Sequence, residues 1–147
     1  MKLSTYFTYE EMIRSDTAKR LGIDNTPNTK QVANLKKLCV EVLDRVRAAY
    51  GKPIIVSSGF RCPELNAAVG GSPNSQHCAN CGAAADIHSV SDETKENKRI
   101  FIICQKLIKE GKIDTGQLIW EYGDMNGPSW CHISTRGGHH NQVFRIP

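Results

Sequence analysis

The chain has 147 residues, 39% hydrophobic and 23% charged, which reads as a single globular domain over residues 1–147 with apolar content for one core. Nineteen basic against fifteen acidic residues give +4, spread without a block of like charge, so no nucleic-acid partner is expected. No apolar run reaches the ~20 residues of a membrane span, and Met1 to Tyr6 carries no signal-peptide stretch, so synthesis in the cytoplasm is expected.

Thr8 with Glu11 forms a capping box that opens a short helix. Asp24 to Asn28 is a turn cluster and the start of the next helix. From about Lys30 to Tyr50 the apolar residues Val32, Leu35, Cys39, Val42, Val46 and Ala49 recur at helical spacing, and Gly51 stops the run. Pro53 to Ser57 is a β-branched strand. Pro63 to Val69 predicts a short helix, and Ala83 to His88 a buried strand of small side chains. Asp92 opens a further helix whose buried face is Ile100, Ile103, Cys104, Leu107 and Ile108. Three apolar stretches, Gln117 to Tyr122, Trp130 to Ser134 and Val143 to Ile146, predict late strands on neighbouring hairpins. The mixture defines an α+β class, an antiparallel sheet packed with helices.

Three segments concentrate reactive side chains: Ser58-Gly59-Phe60-Arg61, Ser75-Gln76-His77 with Gly82 to Asp86, and Trp130-Cys131-His132-Ile133-Ser134. His77, Asp86 and His132 make up a catalytic zinc set, three protein ligands with a fourth position left for water. The rival reading is a pair of hydrogen-bonded core histidines and a turn-capping aspartate. Arg61 suits a substrate carboxylate, since a planar guanidinium grips one through two parallel hydrogen bonds; its rival is pairing with a surface acid.

Across its whole length the chain resembles the peptidase M15 family of zinc D-alanyl-D-alanine carboxypeptidases, in particular the compact phage-associated branch. The likeness is carried by Ser58 to Asn66, Val69 to Pro73, Ser75-Gln76-His77, Gly82 to Ile87 and Trp130 to Ser134, with Phe7 to Glu11 and Leu21 to Pro27 in support. The resemblance implies a hedgehog/DD-peptidase-like fold and one Zn2+ per chain on His77, Asp86 and His132. It further implies Arg61 on a substrate carboxylate or carbonyl, and Ser75 supporting the site. The implied substrates are peptidoglycan stem or cross-link peptides, met at the cell wall after lysis or export, or from a virion.

Two departures stand out. Cys78-Ala79-Asn80-Cys81 intervenes after His77, which reads as a two-residue loop insertion that leaves Asp86 on its strand. Where many members carry an acid three positions before the last histidine, this chain has Ser129, whose hydroxyl cannot serve as general base. Glu121 is the replacement expected from a hairpin of Gln117–Tyr122 with Trp130–Ser134, and Asp124 is the fallback.

Among the six cysteines, Cys39 and Cys104 lie on apolar helix faces, and Cys131 should point away from His132 into the core. Cys78 and Cys81 form a C-x-x-C that reads as a possible second zinc site with Cys62 as third ligand, as a redox pair, or as an accident. His139 and His140, in a glycine-rich loop, either touch substrate or are solvated. A monomer is expected. The rival function is a non-catalytic wall-binding or virion structural module that keeps the fold.

Overall fold

A computed structural model describes residues 1–147. Thr8 closes the expected capping box with Glu11 at the start of α1 (Tyr9–Ile13). A second short helix, α2 (Asp16–Leu21), follows under a Ser15 cap; two turns without an apolar period left no trace of it in the sequence pattern. Asn28 caps α3 (Thr29–Leu38) through a reciprocal bond with Gln31.

The long helix predicted to Tyr50 is interrupted. A π-helical turn, Cys39–Leu43, separates α3 from α4 (Asp44–Tyr50). Such a turn adds a residue and rotates the face beyond it. The buried line therefore runs Leu35, Leu38, Cys39, Val42, Leu43, Val46, Tyr50, and Ala49, expected inside, is exposed.

The sheet has the order β1 (Ile54–Ser58), β2 (Ala84–Ser89), β4 (Trp130–Ser134), β3 (Gln117–Glu121), β5 (Gln142–Ile146). The first four pair antiparallel, whereas β5 runs parallel to β3. That last pairing departs from the expected run of hairpins. The link Thr135–Asn141 carries the chain back past β3, where Thr115 and Gly116 carbonyls accept from Asn141 and Gln142.

Alternation divides the sheet's two faces. Ala85, Ile87, Cys131, Ile133 and Leu118 point into a core shared with α6 (Thr94–Lys109), which contributes Ile100, Phe101, Cys104 and Leu107. Helix α6 begins at Thr94 rather than Asp92, because Asp92 sits at φ 55 in the preceding turn. Burial pushes the thiols of Cys39 and Cys104 up to about 12, which suits the core roles expected of them. The opposite face carries Asp86, His132, Ile119 and Glu121.

One surface cluster links stability to pH. Glu96 accepts from Tyr50 Oη at 2.7 Å, Lys52 Nζ at 3.2 Å and Arg99 Nη1 at 3.1 Å. The Tyr50 hydroxyl, then Arg99 and Lys52, lower its carboxyl from 4.5 to about 2. The folded chain thus keeps this carboxylate ionised to lower pH than the unfolded chain does. Its contribution is complete above about pH 4.5 and is lost as the pH falls through about 2. Urea midpoints measured from pH 2 to 6 are expected to fall less steeply on acidification in Glu96→Gln than in the wild type.

Candidate active site

Strand register brings the site together. Asp86 lies opposite His132 across β2 and β4, Ile119 opposite His132 across β4 and β3, and Glu121 opposite Trp130. Asp86, His132, Ile119 and Glu121, from three different strands, therefore share one face. Beside them, β1 has an irregularity between Val56 and Ser58 that sets Ser58 against Asp86. A bulge of this kind bends a strand and re-aims the residues after it, here Gly59, Phe60 and Arg61.

His77 comes from a short 3-10 turn, Gln76–Cys78, capped by Ser75, whose Oγ accepts from the His77 amide at 3.2 Å. The His77 ring is buried, and Nδ1–H donates to the Gly59 carbonyl at 2.7 Å. That bond leaves Nε2 of a neutral imidazole with a lone pair facing Asp86 Oδ1 at 3.4 Å. Two acceptors so placed close favourably only around a cation, either a proton or a metal ion. Asp86 Oδ1 is also 3.1 Å from His132 Nδ1. Donors around a tetrahedral zinc with bonds of ~2.0–2.1 Å sit about 3.3 Å apart, and both separations fall beside that value. His77, Asp86 and His132 each present one ligand atom, all within 4.8 Å of one another. The residues fit a metal ion. Burial alone would raise the Asp86 carboxyl, but its hydrogen bonds to His132 and His77 and their charges override this and hold it well below the usual carboxylate range.

Arg61 Nη2 donates to Ser75 Oγ at 3.2 Å, and its backbone N–H to the His77 carbonyl at 2.8 Å. Its Nε is buried without a partner. Desolvation lowers the guanidinium pKa, while Asp86, Cys78 and Glu121 act in the opposite direction. Ser75 thus supports both Arg61 and His77 through one hydroxyl. Glu121 is half-buried, and its carboxyl is raised first by burial and then by the charge of Asp86, against the pull of His132 and His77. The Trp130 indole N–H, buried and short of a full hydrogen bond, also opposes the shift. A carboxylate moved up in pKa toward neutrality is closer to what a general base requires. Asp124, the fallback, is exposed, and its carboxylate accepts from the Asn126 amide at 2.8 Å.

Several positioning residues escaped the sequence reading. Buried Asn25 donates to the carbonyls of Ile13 and Phe60, and its Oδ1 accepts from Cys62 N at 2.7 Å, clamping both neighbours of Arg61. Its place in a turn cluster gave no hint of this. Gly59 touches the Met12 backbone so closely that a Cβ there would collide with it. The loop after His77 rests on α3: Gln31 reaches the Cys78 carbonyl at 3.2 Å and Asn80 at 3.0 Å, and Asn34 reaches the Ala79 carbonyl at 2.7 Å.

The cysteines take different places. Cys131 is buried facing away from His132, as alternation required. Cys78 is buried and Cys81 exposed, and no group of three ligating side chains includes either. Cys62, the expected third ligand, caps α5 (Pro63–Ala68), its Sγ accepting from Leu65 N at 3.4 Å. A hollow of about 610 Å³ beside Tyr50, Lys52 and Glu96 shares no residue with the triad. A smaller cleft of about 280 Å³ has His132 and Ser75 in its wall. No helix is long and apolar enough to cross a membrane.

Two imidazoles and one carboxylate, flanked by a second carboxylate and a guanidinium, form a donor set that metal-dependent hydrolases use. Residues 5–111 match the family model described as Peptidase M15, and the chain belongs to that family. The matched segment holds Arg61, Ser75, His77 and Asp86 and stops before Glu121 and His132, which the sheet brings to them. No curated protein matches the chain.

Proposed function

We propose that the protein is a zinc-dependent peptidase that hydrolyses bacterial peptidoglycan stem or cross-link peptides, as a D-Ala-D-Ala carboxypeptidase or an endolysin-type endopeptidase. The observation that carries this reading is the convergence of His77, Asp86 and His132 on one point of the sheet, in a chain of the peptidase M15 family.

In this reading the three side chains hold one Zn2+ per chain. When bound, the ion acidifies a water and polarises a carbonyl. The protein's own groups do the rest. Gly59 fixes the His77 tautomer, a constraint that keeps a ligating nitrogen aimed. Glu121 accepts the proton of the attacking water and returns it to the departing amine nitrogen. Arg61, held by Ser75, grips the substrate's carboxylate or the carbonyl oxygen next to the cut. The chain acts as a single-domain monomer at the wall, reached after lysis or export.

The test is digestion of soluble muropeptides, followed by mass spectrometry. The expected result is a pair of fragments whose masses sum to the substrate plus one water; chelation abolishes the cut and added zinc restores it. Intact muropeptides after incubation with zinc-loaded protein would overturn the proposal. If the protein still bound them, the non-catalytic wall-binding module would stand in its place.

A further inference from the structure

The cleft of about 280 Å³ shares His132 and Ser75 with the site, but neither Glu121 nor Arg61 lines it. Asn74, Gln76, Gln117 and His139 line it around one apolar residue, Ile119. Its volume is near the ~300 Å³ at which small-ligand pockets begin, enough for a short segment of chain. Its polar lining suits amide and hydroxyl groups rather than a bulky hydrocarbon.

His139 reaches the cleft from the loop after β4, and that loop is tied down. Gln76 Nε2 donates to the carbonyls of Cys81, Thr135 and Gly137 at 3.2, 3.0 and 3.3 Å. The residue next to His77 therefore anchors the turn that carries His139. A Cβ at Gly137 would strike the Cys81 carbonyl and Gln76, so the approach needs a glycine there. The neighbouring His140 is engaged elsewhere, with Nε2 2.7 Å from Asp114 Oδ1.

Position along β3 assigns the cleft a side. Ile119 faces His132, Glu121 lies two residues beyond it toward Trp130, and Gln117 lies two residues the other way, beside Ser134. At a rise of ~3.3 Å per residue, Gln117 and Glu121 are roughly 13 Å apart along the strand, with the triad between them. If Glu121 returns the proton to the leaving nitrogen, the amine half departs on its side. The carbonyl half then extends the other way.

We propose that this cleft is the subsite for the carbonyl-bearing half of the substrate, and that His139 binds a polar group of that half. The inference rests on the hydrolase reading. Steady-state kinetics on a soluble muropeptide test it with three variants, each checked for fold by circular dichroism and for zinc by elemental analysis. His139→Ala raises KM about tenfold with kcat within about twofold, the size of one neutral hydrogen bond lost. His139→Gln keeps most of the affinity, and His140→Ala matches the wild type. Titrating the two purified digestion fragments separately adds a direct readout. The fragment with the new carboxylate binds His139→Ala about tenfold more weakly than wild type, and the fragment with the new amine binds both alike. An unchanged KM, equal weakening of both fragments, or loss of zinc in His139→Ala would overturn the subsite while leaving the hydrolase reading intact. Failure of the wild type to cut any muropeptide overturns both.

Discussion

His132→Ala is expected to purify with no zinc where the wild-type chain carries about one per molecule, and to have no measurable activity on muropeptides. The size of the effect follows from the donor count. A catalytic site with three protein ligands keeps its ion only while all three point inward, and loss of even an outer partner costs ~10–100-fold in metal affinity. Here the substitution removes a ligand outright and leaves Asp86 facing His77 alone. It also removes one of the two hydrogen-bonding groups that keep the buried Asp86 carboxyl ionised. Elemental analysis after dialysis against metal-free buffer reads the outcome, with Cys78→Ser as the companion. If zinc survives His132→Ala and disappears with Cys78→Ser, the ion is held by the cysteines and the triad is an ion-paired cluster.

The helix starts at Thr8 and Asn28 were legible from the side chains that cap them, but the equally capped start at Ser15 was not. Strand β1 was legible from its β-branched run, β2 from a run of small buried side chains, and β3 and β4 from apolar stretches. The triad was legible because its members lie in motifs, but its closeness was not, since that depends on β2 pairing with β4 in the register that sets Asp86 against His132. The π-helical turn at Cys39–Leu43 was hidden because its residues still alternate between buried and exposed as a helix would. The parallel β5 was hidden for another reason. Nothing local to Val143–Ile146 encodes which side of β3 the chain returns to; the bonds from Asn141 and Gln142 to Thr115 and Gly116 decide it. The clamps by Asn25 and Gln76 link segments 35 and 59 residues apart, beyond the reach of any spacing argument.

The second large effect concerns the base. Glu121→Gln is expected to lower kcat by about 10²–10⁴-fold, the usual contribution of a positioned general base, while zinc content and KM stay near wild type. The amide has the shape of the carboxylate, so the pairing of β3 with β4 and the packing against Trp130 are kept. What is lost is the capacity to take a proton. Asp124→Asn should leave kcat unchanged, because that carboxylate is exposed and occupied by the Asn126 amide. The pair of variants separates two accounts of a chain with serine at position 129. If Glu121→Gln retained full activity, the deprotonating group would have to be sought elsewhere on the site face, and the register argument that places Glu121 there would carry no mechanism. A large fall in kcat alone, with metal retained, would mean that the antiparallel neighbour of β4 supplies the acid-base group across the strand pair.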